Sequence, residues 1–133
     1  MPAIVERYFA AFNAKDIVGM LACVTEDVAH HVNEGGVRIG KAAFAEFCAH
    51  MGQCYDETLT EMVFMSSADG TRAAAEYVVN GTYFETDSDL PEASGQQYRL
   101  PAGSFFELRD GLISRVTTRY NLSDWVAQVS GST

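Results

Sequence analysis

Two adjacent histidines, His30 and His31, sit in the stretch DVAHHVNEGG (27–36) with Asn33 and Glu34 just after them. An imidazole with an unperturbed pKa of about 6.5 can both take and give a proton near neutral pH, so proton transfer is the chemistry these residues suit. The stretch reads as a strand ending at Val32 and a turn at its NEGG exit. Neighbouring side chains on a strand leave opposite faces, so only one histidine of the pair can look inward. If Val32 points inward, His30 does too and His31 faces out; a bulge or a one-residue slip reverses this. Alternation also argues against a metal, because two rings on opposite faces cannot clamp one ion. His50 lies on a predicted helix with no tight ligand cluster around it, and His30 sharing a face with Glu34 is too little to hold an ion. No metal and no cofactor is expected. Asn33 can orient a carbonyl and is equally at home as a turn residue before two glycines. The plainer alternative for the histidines is one exposed and one hydrogen-bonded strand residue.

The elements that would carry these residues follow from periodicity. Ile4, Val5, Tyr8, Phe9 and Phe12 recur at helical spacing, and NAKD breaks that helix. Asp16 is the expected N-cap of a second, short helix from Ile17 to about Val24. After the histidine strand and Gly40, KAAFAEFCAHM reads as a third helix burying Phe44, Phe47, Cys48 and Met51. The period then changes. TLTEMVFMSS, TRAAAEYVVNGTYF, YRLPAGSFFEL and LISRVTTRYNL read as four strands, with ADG and RDG as hairpin turns. ETDSDLPEASGQQ is a polar acidic loop, and SDWVAQV a closing helix capped by Ser123. Helices first and an antiparallel sheet afterwards make an α+β fold, a single domain over residues 1–133.

Composition narrows the partners. Apolar residues make up 47% and charged residues 20% of the chain, which are globular values. A net charge of −9 repels phosphate backbones and anionic lipid heads, so neither nucleic acid nor a membrane surface is expected as a partner. No apolar run approaches the roughly 20 residues that span a bilayer. MPAIVERYFAAFN lacks a basic leader, and three cysteines without CxxC spacing read as reduced thiols, so a cytoplasmic protein is expected.

The order of elements, with RYFAAFNAKD, VTEDVAHHV, GKAAFAEF and FFELRDGLISRVTTRYN, resembles the ketosteroid isomerase and SnoaL-like branch of the NTF2-like superfamily over nearly the whole chain. GTYFETDSDLPEASGQQYRLPAGSFFELRDG is similar to the ketosteroid isomerase-related proteins. The resemblance implies a cone: a curved, mostly antiparallel sheet around three N-terminal helices, one deep apolar pocket, and a homodimer formed through the sheet. It also implies a mechanism in which a carboxylate moves a proton while a tyrosine and a neutral aspartic acid hold the oxyanion. Tyr8 falls on that tyrosine. Val32 stands at the base position and Ser104 at the neutral acid, while Val24 and Cys48 replace two supporting tyrosines. One of three catalytic groups is therefore kept, and His30 or His31 is the expected substitute for the base.

Alternation supplies the pocket wall. Val116, Thr118 and Tyr120 should face in, with Arg115, Thr117 and Arg119 out. Ala102, Ser104 and Phe106 should face in, as should Ala73, Ala75, Tyr77 and Val79, leaving Glu76 and Asn80 outside. With Asn33, Cys48 and Tyr55 these form the expected binding surface for a small hydrophobic carbonyl compound. The reaction class implied is isomerisation, cyclisation or dehydration. The alternative is a non-catalytic protein that uses the same cone to carry a ligand, or the dimer surface to hold a partner.

Overall fold

The computed structural model describes residues 3–130, so the first two residues of MPAIVERYFAAFN lie outside the described residues. Helix α1 (Ala3–Asn13) buries Ile4, Val5, Tyr8 and Phe9 along one stripe, as their spacing dictates. A fully buried side chain of this size contributes about 1.5–3 kcal/mol. Asp16 caps α2 (Ile17–Leu21) by accepting from the Gly19 amide at 2.9 Å. Strand β1 (Val24–Val32) is followed by β2 (Arg38–Ile39), two residues too short to leave a period in the sequence. Helix α3 (Lys41–Cys54) runs three residues beyond the expected end, and β3 (Tyr55–Ser66) follows it without a loop. Of the expected α3 core, Phe44 is buried while Phe47, Cys48 and Met51 are only partly so.

Strands β4 (Arg72–Tyr83), β5 (Gln96–Arg109) and β6 (Leu112–Tyr120) complete a six-stranded sheet in the order β2-β1-β6-β5-β4-β3. Among the described residues only the β1–β6 pair is parallel. Asp110 and Gly111 both take positive φ (53° and 78°) in the two-residue turn between β5 and β6, as a primed hairpin turn requires. In β3, Glu61 and Met62 together oppose Tyr77, a bulge with Glu61 at φ 54° that bends the sheet. Helix α4 (Leu122–Val129) closes the chain; its cap is Asn121, which accepts from the Asp124 amide at 3.1 Å, rather than the expected Ser123. Ser123 instead lies inside the first turn.

Strand β3 is an edge, yet part of its free backbone is paired. The Asn13 carboxamide donates to Leu59 O at 3.0 Å and accepts from Leu59 N at 2.9 Å, as a neighbouring strand would. Lys15 adds a hydrogen bond to Glu57 O and an ion pair to Asp56 at 3.0 Å. The concave face of the sheet packs on α1 and α3, and Ala73, Ala75, Tyr77, Val79, Gly81 and Tyr83 of β4 all point into it.

Candidate functional site

The parallel register places His30 beside Val116 and Val32 beside Thr118, so His30 and Val32 share the concave face. The His30 ring stands edge-on to Phe44 and Phe47, with centroids 4.9 and 4.6 Å away, and it is 5% exposed. Its Nδ1 has no hydrogen-bond partner. Burial, helped by the charge of Arg38 and by His31, lowers its pKa to about 4, so it is a neutral imidazole at physiological pH. Tyr8 packs against Phe9, Phe44 and Phe106 close by. Burial pushes its phenol well above the ordinary value, with Cys48, Tyr77 and Cys23 adding to the effect. Burial also raises the Cys48 thiol to about 11.

His31 occupies the opposite face, where its Nδ1 lies 3.3 Å from the Arg119 guanidinium. That removes it from the cone. Asn33 is a turn residue with φ 47°; its Oδ1 accepts from Tyr120 N at 2.9 Å and its Nδ2 is buried without a partner. Of the outward arginines, Arg115 pairs with Glu107 at 3.2 Å and Arg119 donates to Asn33 O at 2.9 Å.

In mid-cone three hydroxyls form a chain. Tyr77 Oη meets Ser104 Oγ at 2.7 Å, and Ser104 Oγ meets Thr118 Oγ1 at 2.9 Å. Ser104, where the resemblance placed a neutral acid, is thus a relay point with its hydrogen bonds satisfied. Phe106 and Val116, each 1% exposed, fill the narrow end. Side chains of α1, α3 and the sheet occupy this end, where the sequence led us to expect open apolar volume. Phe44 and Phe47 pack across it from α3. The two clefts described, of about 570 and 410 Å³, lie outside it: one includes Asp56, Asn80, Arg99 and Gln128, the other Ile4, Arg7 and Leu108.

The other end of the cone holds a group that sequence reasoning missed. Glu57, Gly81 and Tyr98 form one row across β3, β4 and β5. A Cβ on Gly81 would lie 2.3–2.5 Å from the Tyr98 ring and hydroxyl, so the phenol crosses the strand only because glycine is there. It thereby donates a hydrogen bond to the Glu57 carboxylate. Burial raises the Glu57 pKa above the ordinary value; the Tyr98 hydrogen bond and the Lys15 charge oppose this, and Asp56 adds to it. Tyr120 is pushed up to about 12, first by burial and then by Glu57, Glu34 and Asp87. Burial raises Tyr77 too, its hydrogen bonds to Ser104 and Thr118 lower it, and Glu57 raises it. Trp125 of α4 packs its ring on Tyr83, Tyr98 and Tyr55, with centroids 5.0, 5.9 and 6.0 Å away.

Glu57 escaped notice because the expected strand began at Thr58. Extending alternation back from Leu59 puts Glu57 inside, and a glycine within the facing strand signals close approach. The cross-strand row of His30 meets β4 at Ala73 and that of Glu57 meets it at Gly81. Eight residues of strand separate them, roughly 26 Å at 3.3 Å per residue. The expected residues therefore divide: Tyr8, His30, Cys48, Phe106 and Val116 belong to the narrow end, and Tyr55 and Tyr120 to the end of Glu57.

Tyr55 points to a further cluster at the rim. Its hydroxyl donates to Asp87 Oδ2 at 2.7 Å, while Asp87 Oδ1 lies 2.7 Å from His50 Nε2. Burial pushes the Asp87 carboxyl up, but the hydrogen bonds from Tyr55, His50 and Ser88 and the His50 charge together hold the group below its ordinary value. His50, expected to stand apart, is thus part of a group brought together by the 84–95 loop.

The profile of the SnoaL-like domain matches residues 5–116, and the chain belongs to this family. Its fold is the NTF2-like cone. A protein of Silicibacter sp. TM1040, provisionally named a polyketide cyclase, is 67% identical and superposes with a TM-score of 0.95, over 97% of this chain and 94% of its own. A protein of Pseudomonas putida KT2440 with the same provisional name is 52% identical over 96% of each chain, also with a TM-score of 0.95. An NTF2-like protein of Burkholderia pseudomallei K96243, 17% identical over 97% of this chain and 96% of its own, shares the fold with a TM-score of 0.82. No curated protein matches the chain. Among the described residues no helix is long and apolar enough to cross a membrane.

Proposed function

We propose that this protein is an acid–base enzyme of the isomerase or cyclase type, acting on a small hydrophobic carbonyl compound of polyketide character. The observation that carries the reading is the Glu57 carboxylate, turned into the cone and held by Tyr98 across Gly81. Its raised pKa gives it a stronger pull on a proton than an exposed carboxylate has. The family and its provisionally named cyclases support the reaction class.

Glu57 takes a proton from the carbon next to the carbonyl. The electron pair moves onto the carbonyl oxygen, and the enolate carbon then attacks a second carbonyl or is reprotonated elsewhere. The partly exposed Tyr120 phenol is the donor for the developing oxyanion. Tyr98 fixes the carboxylate, and the rings of Tyr55, Tyr83 and Trp125 beside it meet the body of the substrate, which does not reach the packed end around Tyr8 and His30. His30 is a weak, unpartnered base there rather than the principal one. A homodimer through the outer sheet face belongs to the same proposal: Val63, Met65 and Phe105 lie there 47–50% exposed, a surface that suits a second copy.

The test is proton exchange at the α-carbon of a panel of cyclic and polyketone compounds, followed in D2O by NMR. Glu57→Gln should slow exchange and turnover by about 10²–10⁴-fold while leaving ligand binding intact. Binding without exchange in the unmodified protein would show a carrier instead, and full exchange in the variant would remove Glu57 from the mechanism. Native mass spectrometry reads the dimer and any co-purified ligand.

A further inference from the structure

The rim cluster is independent of the proton-transfer chemistry. His50 and Cys54 stand one helical turn apart at the C-terminal end of α3, so their side chains leave the same face. Asp87 arrives from the 84–95 loop. The three ligand atoms lie within 4.8 Å of one another: His50 Nε2 is 2.7 Å from Asp87 Oδ1 and 3.9 Å from Cys54 Sγ. Both partners meet the same ring nitrogen. A thiol–imidazole–carboxylate relay would use the two nitrogens on opposite sides of the ring, so this arrangement is not a nucleophilic triad. Convergence of N, S and O atoms on one point is what metal ligands require. Around a tetrahedral ion with bonds of 2.0–2.3 Å, ligand atoms stand about 3.3–3.7 Å apart, inside the range seen here.

The supporting contacts orient the ligands. Tyr55 donates to Asp87 Oδ2 at 2.7 Å and Asp87 N donates to Tyr83 Oη at 2.9 Å, which aims Oδ1 at the histidine. Phe84 N donates to Cys54 O at 2.8 Å and so anchors the start of the loop to the ligand-bearing turn. Cys54 is buried but His50 is exposed, which leaves a path for an ion from the solvent side. We propose that His50 Nε2, Cys54 Sγ and Asp87 Oδ1 form a three-ligand site for a divalent ion of the zinc class, with the fourth position open. A thiolate and an imidazole select such an ion over magnesium or calcium. On binding, the thiol S–H breaks, sulfur keeps the electron pair for the metal, and the proton goes to solvent.

Cobalt(II) is the probe. The full-length protein, stripped with a chelator and kept reduced, is titrated with Co2+. One equivalent should produce a near-ultraviolet sulfur-to-cobalt charge-transfer band and the visible bands of a tetrahedral ion, and Zn2+ should displace both. Cys54→Ser should lose the charge-transfer band, Cys48→Ser should keep it, and His50→Ala, an exposed change that spares the fold, should weaken binding at least tenfold. Tyr55→Phe, which removes only the support for Asp87, should cost about 10–100-fold in affinity. Circular dichroism of each variant separates lost binding from lost structure. No stoichiometric spectrum in the unmodified protein, or an unchanged one in folded Cys54→Ser or His50→Ala, would overturn the site.

Discussion

His30 and Glu57 are both titratable, both turned into the cone, and differently supported. His30 lies between two phenylalanines with Nδ1 unpartnered, so burial acts on it almost unopposed and keeps it neutral. Glu57 has a phenol donor and a nearby lysine charge, which oppose the rise that burial imposes on its pKa. A buried group without partners becomes packing, and a buried group with a partner becomes a reagent. The two ends also respond oppositely to acid. His30 binds its proton more weakly folded than unfolded, so stability falls as pH drops from 6.5 towards 4. Glu57 binds its proton more tightly folded, so its contribution is full below 4.5 and is lost as pH rises through its raised value.

The sharpest break in this contrast is Glu57→Gln. Turnover should fall about 10²–10⁴-fold, the usual worth of a positioned general base. The acid limb of kcat/KM in the unmodified enzyme should lie above the ordinary carboxylate range and move further up in Tyr98→Phe. Next is His30→Phe. Measured by urea unfolding, its stability advantage should grow on the order of 3 kcal/mol between pH 6.5 and 4, because the unmodified protein alone pays to keep the ring neutral. Gly81→Ala should cost about 1–3 kcal/mol by forcing Tyr98 off the strand, and should impair turnover through Glu57 without touching it. His31→Ala should change stability by no more than about 0.5 kcal/mol and leave turnover intact, since that ring is outside the cone. A large loss there would mean that the inward face has been misassigned.

The architecture was largely legible because β4 alternates cleanly along its whole length, and because the parity that turns His30 inward also turns Val116 and Thr118 inward. The site was less so. The base position suggested by the resemblance holds Val32, and that drew attention to its histidine neighbours and away from β3. Glu57 depends on where α3 stops, and the helix runs through Gly52, where the sequence suggests an end, before passing straight into strand at Cys54–Tyr55. The two-residue β2 and the rim cluster were hidden for a different reason. Both depend on contacts between distant segments, and Asp87 in an acidic loop looks like any solvated carboxylate until the fold sets it beside His50.

The parallel β1–β6 pair also dictates an order of events during synthesis. β1 emerges early, but the long neighbour it needs is the last strand made, after α3 and three further strands. Until then its concave face, His30 included, has only helices and the stub of β2 to cover it. Closure of so non-local a pair is slow, and the nascent chain carries an exposed apolar strand until it finishes. Truncations that stop before Leu112 should therefore aggregate rather than fold in part, which makes β6 the element that commits the chain.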